Sequence, residues 1–507
     1  IKNSVEKNVE IKDKTEKVIQ ELASIKSVVE DKSKILAKKP NPVLDQKNKT
    51  VAEIASELSL SKLNENNKNK IKKNENGSEK KKIKKLNILP FFIIALGLIF
   101  FLNTQSDSFA ADWPHQRGPQ QNGVIAPGSI DSLNLENEPE VIWSQPVADG
   151  YAAPIIIKDI AIYGDFQKGK ETYTAMKLGN AEPIWKDVLD SPHKDGFGTG
   201  PRCAPVSDGE IVLLQSCKGQ LHCIDLLSGD LLWSKNYTKD FDSPYIGERG
   251  NALGASRHGY TASPFIDGNH VIALAGGKGS GIVCLNKKKG NVIWKSQDDQ
   301  AAFSPPIVTT LAGVKQVICF TVKGLVGVDR VDGKLLWRVP MSTSYGRHVV
   351  APTIYKDMVI VGSHEIGLIA VKVTARGGEL TAEESWKLGR DLAPNFASPI
   401  CMGDNLYLLA KKQVLCIDAK TGKLAWSKDG NVRTSAGQAF AAFIGLKDQV
   451  MMLNDMGELI LFEDDPSSYK EIGRVQVCGK NWCHPAYSNG KLLIRDSRKL
   501  ICLDFKS

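Results

Sequence analysis

One eleven-residue pattern is repeated along the chain and limits what it can fold into. "CIDLLSGDLLW" at residues 223–233 recurs as "CLNKKKGNVIW", "GVDRVDGKLLW" and "CIDAKTGKLAW". Each copy has Asp or Asn eight residues before a Trp and Gly four residues before it. Looser copies replace the acid with Lys177 or Lys372. The repeat period is about 47 residues, typical of one four-stranded propeller blade. We expect the repeat tryptophans to be structural, and these are Trp143, Trp185, Trp233, Trp294, Trp337, Trp386 and Trp426.

Each repeat unit also begins alike, with a small residue and usually a proline before an apolar strand. There are eight such beginnings: "YAAPII", "RCAPVS", "TASPFI", "SPPIVT", "VAPTIY", "FASPIC", "AFAAFI" and "CHPAYS". The last unit lacks its Trp strand, and an unpaired Trp strand, "EVIWSQPV" at 140–147, precedes the first. Pairing these two ends would close a ring without a free edge. The sequence therefore predicts an all-β, eight-bladed β-propeller. Seven blades is the alternative, because the seventh unit has lost both Gly and Trp.

The repeats resemble the pyrroloquinoline-quinone-type repeat of the BamB-like family of exported bacterial propellers. "DWPHQRGPQQNGV" at 112–124 is similar to the segment with which many members begin, so the resemblance covers residues 112–507. It implies a non-catalytic binding or scaffold module in the cell envelope, related to outer-membrane protein assembly and partnered by other envelope proteins.

The first 86 residues differ from the rest of the chain. They contain 22 Lys, 13 acidic residues and no aromatic residue, which accounts for the whole net charge of +9. A lysine-rich, low-complexity segment of this composition cannot bury a core, and we expect it to be disordered or partly helical. The neutral remainder offers no surface for nucleic acid.

An apolar run at residues 88–102 follows, within a segment that we place at 87–103. Its length and lysine-rich flank predict one hydrophobic helix, either an export signal cut near Ala110 or a membrane anchor. Both outcomes place the body of the protein in the periplasm or cell envelope. A membrane-tethered sensor is a further alternative, should residues 1–86 be retained.

The enzyme alternative is a quinoprotein-like oxidoreductase using pyrroloquinoline quinone and calcium. Enzymes of that kind have two adjacent cysteines against the cofactor, and none of the ten cysteines here is adjacent to another. We therefore expect no cofactor, no metal site and no catalytic residue. "CGKNWCH" has four residues between its cysteines, too many for haem attachment, and predicts a local disulfide between Cys478 and Cys483.

Polar residues cluster just before several unit starts. In a propeller, the segment entering the innermost strand lies at one mouth of the central channel, so residues from different blades should converge there. The sequence therefore predicts a polar, electropositive site for an anionic or carbonyl-bearing ligand. The alternative is that these side chains only satisfy loop carbonyls between blades. The candidates are Arg202, Arg257, His258, Arg347, His348, Asn395, Trp482 and His484.

Overall fold

The computed structural model describes residues 112–125, 132–189, 194–243, 245–432 and 439–505. The segments 1–86 and 87–103, and the hydrophobic helix expected within the second, lie outside these ranges. Within them, no helix has both the length and the apolar character needed to cross a bilayer.

The described chain forms eight four-stranded antiparallel sheets, numbered here as blades 1–8 in chain order. Blades 1–4 contain β2–β5 (Ile155–Ile157, Ile160–Gln167, Lys170–Lys177, Pro183–Val188), β8–β11 (Val206–Ser207, Ile211–Gln215, Gln220–Asp225, Leu231–Asn236), β12–β15 (Phe265–Asp267, His270–Ala273, Ile282–Asn286, Val292–Ser296) and β16–β19 (Ile307–Leu311, Val314–Thr321, Gly324–Asp329, Leu335–Pro340). Blades 5–7 contain β20–β23 (Thr353–Tyr355, Met358–Ser363, Gly367–Arg376, Glu379–Leu388), β24–β27 (Ile400–Met402, Asn405–Ala410, Gln413–Asp418, Leu424–Lys428) and β28–β31 (Ala441–Gly445, Gln449–Asn454, Glu458–Glu463, Glu471–Gln476).

Blade 8 joins the two ends of the propeller. It consists of β32 (Ala486–Ser488), β33 (Lys491–Arg495), β34 (Lys499–Asp504) and, as its outer strand, β1 (Glu140–Pro146). Trp143 of β1 pairs with Cys502 of β34, in the same register as Trp233 with Cys223 in blade 2. The expected eight-bladed closure is confirmed, and the seven-bladed alternative is wrong.

Short elements lie between the blades. A small hairpin of β6 (Lys194–Asp195) and β7 (Gly198–Thr199) follows blade 1. Helices α1 (Tyr237–Phe241) and α2 (Gly254–His258) follow blade 2. Two 3₁₀ turns, Ser344–Gly346 and Arg390–Leu392, precede blades 5 and 6. The first strands of neighbouring blades contact one another, β2 with β32 and β8 with β12 among them, so these strands surround the channel.

Six of the seven repeat tryptophans donate a hydrogen bond from their own blade to the next. The Trp185 indole N–H donates to Leu226 O at 2.8 Å, and that of Trp233 to Lys287 O at 2.7 Å. Four others make the corresponding bond: Trp143 to Leu178, Trp294 to Arg330, Trp386 to Ala419 and Trp426 to Asp465. Trp337 instead donates to Gln316 of its own blade.

The Asp and Gly of the repeat shape the hairpin that receives this bond. The Asp225 carboxylate accepts from the backbone N–H groups of Leu227 and Ser228, as expected for an Asx turn. Gly290 has φ +69°, and a Cβ there would lie 2.7 Å from the ring of Trp233 in the preceding blade. Glycine is therefore required for two reasons, a left-handed backbone and a close approach of the indole.

Blade 7 lacks both the Trp and the Gly of the repeat and fills the two places differently. Gly473 stands opposite Leu461, where other blades have their Trp, and a Cβ on Gly473 would lie 3.1 Å from the Cβ of Leu135. Phe462 and Tyr469 lie 6.1 and 5.5 Å from Trp426 of blade 6, measured between ring centroids. These rings fill the space between blades 6 and 7. Leu135 thus packs at the site of the missing Trp and Tyr469 packs in the hairpin that lacks Gly, so blade 7 is complete although its unit does not match the repeat.

The cysteines are all free thiols. Cys223, Cys284 and Cys416 are fully buried opposite the Trp of their own blade. Cys478 contacts the carbonyl oxygens of Gly457 and Gly479, and no bond joins it to Cys483. The disulfide expected between Cys478 and Cys483 is therefore not formed, and the loop is held instead by Asn481, whose side chain bonds both the N–H and the carbonyl of Cys483.

Candidate functional site

A cavity of about 400 Å³ lies at one end of the channel, where the chain enters the innermost strands. We call it the channel-mouth cavity. Every blade contributes to its lining from the segment just before its first strand, in the order Tyr151, Arg202, Arg257, Phe303, Arg347, Phe396, Phe440 and Trp482. The site therefore exists only because the ring closes, since no single blade contains it.

Residues 112–125, which we call the plug segment, form one side of this cavity. Trp113 pairs with Ile156 of blade 1, and the Ser207 N–H of blade 2 donates to Pro114 O. At the other end, the Ile125 N–H donates to Gly445 O of blade 7. The segment thus runs between blades on different sides of the ring and contributes His115, Gln116, Arg117 and Gln121 to the lining.

Six of the eight predicted residues line the channel-mouth cavity: Arg202, Arg257, His258, Arg347, Trp482 and His484. Asn395 is half-buried and does not line it. His348 is fully buried, stacks on Phe320 at 4.0 Å and donates from Nδ1 to Thr321 O at 2.6 Å. His348 therefore joins the segment before blade 5 to blade 4 and does not reach the cavity.

Arg202 and His258 share one carboxylate. Both guanidinium Nη atoms of Arg202 donate to Asp195 of the β6–β7 hairpin, at 2.5 and 2.8 Å. The Nδ1 atom of His258 lies 3.2 Å from the same carboxylate. Burial lowers the pKa of Arg202, but the Asp195 hydrogen bonds outweigh this and raise it overall. The charge of Arg202 is thus compensated within the protein.

Arg257 and Arg347 are different, because each guanidinium lies over an aromatic ring and has no carboxylate partner among the described residues. The Arg257 guanidinium carbon is 4.3 Å from the centre of the Tyr345 ring, and that of Arg347 is 5.1 Å from the centre of Phe396. No described carboxylate forms an ion pair with either. Burial lowers the pKa of Arg347, and the more distant Glu365 opposes this. Both arginines bring positive charge that the described residues leave unpaired.

Arg117 of the plug segment is a fourth arginine at this site, and it is not among the residues predicted from the sequence. It is 3% exposed, and its Nη2 donates to Pro399 O and Asn122 O. Its Nη1 is buried without a hydrogen-bond partner. Burial lowers the pKa of Arg117 to about 10. The sequence signal that could have identified Arg117 is its position two residues after His115, in a short segment that contains two glycines.

Two buried histidines border the cavity as neutral groups. Burial lowers the pKa of His115 to about 4, and burial together with the charge of Arg117 lowers that of His484 to about 3. His115 stacks on Phe265 at 5.5 Å, and His484 packs edge-on against Phe440 at 5.6 Å. At neutral pH they add hydrogen-bonding capacity to the site and no charge.

Seven aromatic side chains surround the same space: Tyr151, Phe197, Phe303, Tyr345, Phe396, Phe440 and Trp482. Phe197, on the β6–β7 hairpin, contacts the ring of Phe396 from blade 6 at 6.4 Å, and Phe396 contacts Trp482 at 5.2 Å. Tyr345 has φ +63°, which is strained for a bulky residue and is often found at binding sites. The cavity is therefore both basic and aromatic.

A calcium-bound cofactor requires carboxylate ligands, and these are scarce here. Glu248 is the one acidic residue among the described residues of the lining. Across the described ranges, no three His, Cys, Asp or Glu side chains are grouped as a metal site. The guanidinium groups fit a carboxylate-bearing ligand, but the residues present do not fit the calcium that would accompany it.

Comparison with known proteins identifies the family. A family model described as "Outer membrane protein assembly factor BamB" matches residues 169–428, just over half of the chain. Many solved structures share the fold. BamB from Moraxella catarrhalis has a TM-score of 0.50 at 13% identity, covering 72% of this chain and 99% of that one. Quinohemoprotein alcohol dehydrogenase from Comamonas testosteroni has a TM-score of 0.46 at 11% identity, covering 80% and 82%.

The computationally designed Ika8 protein has a TM-score of 0.49 at 10% identity, covering 71% of this chain and 98% of that one. No curated protein sequence matches the chain. Likeness at these identities establishes the fold alone, so the family assignment rests on the sequence match and on the repeats that it covers. The chain belongs to the BamB family of β-propellers.

Proposed function

We propose that this protein is an exported, non-catalytic binding module of the bacterial cell envelope, and that the channel-mouth cavity holds an anionic group of its ligand. One observation carries the proposal. Arg117, Arg257 and Arg347 reach the same enclosed aromatic cavity from three parts of the chain, and none has a described carboxylate partner. Unpaired, partly desolvated guanidinium groups bind carboxylate and phosphate strongly.

Membership in a family described by outer-membrane protein assembly supports the envelope location. It also makes other envelope proteins the partners to look for. Because one fold serves many functions, the ligand site is assigned from the chemistry of its residues. Outer-membrane protein assembly is the biological setting that the family indicates.

Export is the second part of the proposal, and it depends on residues 87–103. Mass spectrometry of the native N-terminus tests it. A mature protein that begins at Ala111 supports export and cleavage and rules out a tethered sensor. A cytosolic protein that retains residues 1–110 contradicts export.

The quinone-dependent oxidoreductase remains the alternative function. The unpaired arginines and aromatic rings suit a planar quinone with carboxylates, whereas the described residues of the lining do not include a set of calcium ligands. Metal analysis and an absorption spectrum of the purified protein separate the two. Stoichiometric calcium with a quinone absorbance would replace the binding proposal with the enzymatic one.

Affinity capture from an envelope extract tests the site directly. We would compare the wild-type protein, the double variant Arg257→Gln/Arg347→Gln and the control Arg376→Gln, which changes an exposed arginine at the tip of the blade 5 outer hairpin. Proteins and small molecules eluted from each are identified by mass spectrometry. We expect the double variant to lose components that the wild type and control retain. Equal retention by all three would contradict the proposal.

A further inference from the structure

We infer that the channel-mouth cavity binds a small planar aromatic molecule with two carboxylate groups, and that it does so through arginines without a metal ion. This inference rests on the proposed function, because it names the ligand class of the same site. Charge, ring geometry and unsatisfied donors lead to it independently.

The charge at the site matches a dianion. Four arginines line the cavity, and the carboxylates that oppose them are Asp195, bound to Arg202, and the lining residue Glu248. The four guanidinium groups exceed these two carboxylates by two positive charges, and the buried neutral rings of His115 and His484 add none. A ligand with two carboxylates would neutralise this excess, and burial would strengthen both interactions.

The two unpaired arginines on the wall are held in a particular way. Arg257 lies on Tyr345 and Arg347 lies on Phe396, so each guanidinium plane is supported by a ring. Such support fixes the arginine before a ligand arrives and lowers the entropy lost on binding. Their positions before blades 3 and 5 place the two charges apart on the wall, where two separate carboxylates can meet them.

The aromatic residues between these charges favour a flat ligand. Phe396 lies between Phe197 and Trp482, at centroid distances of 6.4 and 5.2 Å, and Phe440 lies 6.3 Å from Trp482. Aromatic surfaces at this density stack on a planar ring and gain little from a branched aliphatic acid. A cavity of about 400 Å³ is within the range of small-molecule sites.

Several donors in the lining lack acceptors among the described residues. The Nη1 of Arg117, the Nε of Arg257 and the Nε1 of Trp482 are buried with no hydrogen-bond partner among the described residues. Buried donors are rarely left unpaired in folded proteins, because each costs free energy. All three belong to residues of the cavity wall, and a ligand rich in acceptors, as carboxylates are, would satisfy them once these side chains turn toward it.

Isothermal titration calorimetry in the presence of EDTA tests the inference, with naphthalene-2,6-dicarboxylate and benzene-1,4-dicarboxylate as probes. We expect at least one probe to bind with a Kd below about 1 mM. The uncharged benzene-1,4-dicarboxamide and the non-planar cyclohexane-1,4-dicarboxylate should bind at least about tenfold more weakly. Arg257→Gln and Arg347→Gln should each weaken binding about tenfold or more, and Arg376→Gln should not change it.

Three results overturn the inference: no binding of either aromatic probe, equal binding of the cyclohexane acid, or binding only after calcium is added. The capture experiment distinguishes these failures from failure of the proposed function. If envelope components still depend on Arg257 and Arg347, the site binds an anion of another class. If they do not, the binding function itself is wrong.

Discussion

The contact between a glycine of one blade and the tryptophan of the blade before it can be tested by a matched pair of substitutions in blade 3. Gly290→Ala places a Cβ 2.7 Å from the Trp233 ring at φ +69°. Gly268→Ala is the control, because Gly268 has φ +59° and nothing lies within 4 Å of its added Cβ. Both variants force alanine into the left-handed region, and only the first displaces the indole.

The expected losses follow from these two effects. Left-handed strain costs about 1 kcal/mol for alanine, so Gly268→Ala should lose about that much. Overpacking a buried contact adds about 1 to 3 kcal/mol, so Gly290→Ala should lose about 2 to 4 kcal/mol in total. The Trp233 to Lys287 hydrogen bond, 2.7 Å long, is the interaction that the displaced ring would strain.

Equilibrium unfolding in urea, followed by circular dichroism, measures both losses, and the slope of the transition should not change. A double-mutant cycle sharpens the comparison. In a Trp233→Ala background, Gly290→Ala should cost only about 1 kcal/mol, the strain alone. Equal losses for Gly290→Ala and Gly268→Ala in the wild-type background would refute the account of the repeat.

Three further predictions concern the repeat, the thiols and the buried histidines. Trp233→Ala should lower the free energy of unfolding by about 3 to 5 kcal/mol. Cys223→Ser should leave ligand binding intact. Lost binding in the Cys223 variant, with unchanged unfolding, would contradict a structural role for this thiol. Thiol titration of the unfolded, unreduced protein should detect ten free thiols. A count of eight would support the disulfide between Cys478 and Cys483. Burial lowers the pKa of His115 and His484 below the unfolded value of 6.5, so stability is complete above pH 6.5 and falls as the pH drops from there toward about 4. The free energy of unfolding should change by up to about 1.4 kcal/mol per pH unit for each histidine. His115→Gln should reduce this pH dependence, as urea unfolding at pH 7 and pH 5 would show.

The fold was predictable because its information is local and repeated. Each hairpin carries its own Asp, Gly and Trp, and the unpaired Trp143 strand indicated how the ring closes. The seventh blade shows where this reasoning weakens. Leu135, which lies outside the repeat, packs at the site of the missing Trp, and Tyr469 packs against Trp426 in the hairpin that lacks Gly, so neither replacement follows from the repeat pattern.

The site was predictable in part, for a geometric reason. The segments before the innermost strands must meet at one mouth, so the positions of Arg257 and Arg347 followed from the repeat. The repeat did not reveal which of the arginines at this mouth already has a carboxylate partner. Arg202 is neutralised by Asp195 on a two-strand hairpin that the repeat does not contain. Arg117 comes from the plug segment, whose path between blades has no sequence period to reveal it.

Site-specific photo-crosslinking in living cells tests most directly whether the channel mouth is the functional surface. A photoreactive phenylalanine analogue replaces Phe197 at the mouth in one variant and Ile293 on the outer strand of blade 3 in another, positions that are 38% and 42% exposed. The account predicts a specific adduct from position 197 that is lost in the Arg257→Gln/Arg347→Gln background, with none from position 293. An adduct from position 293 alone would show that the outer rim binds the partner and would contradict the account.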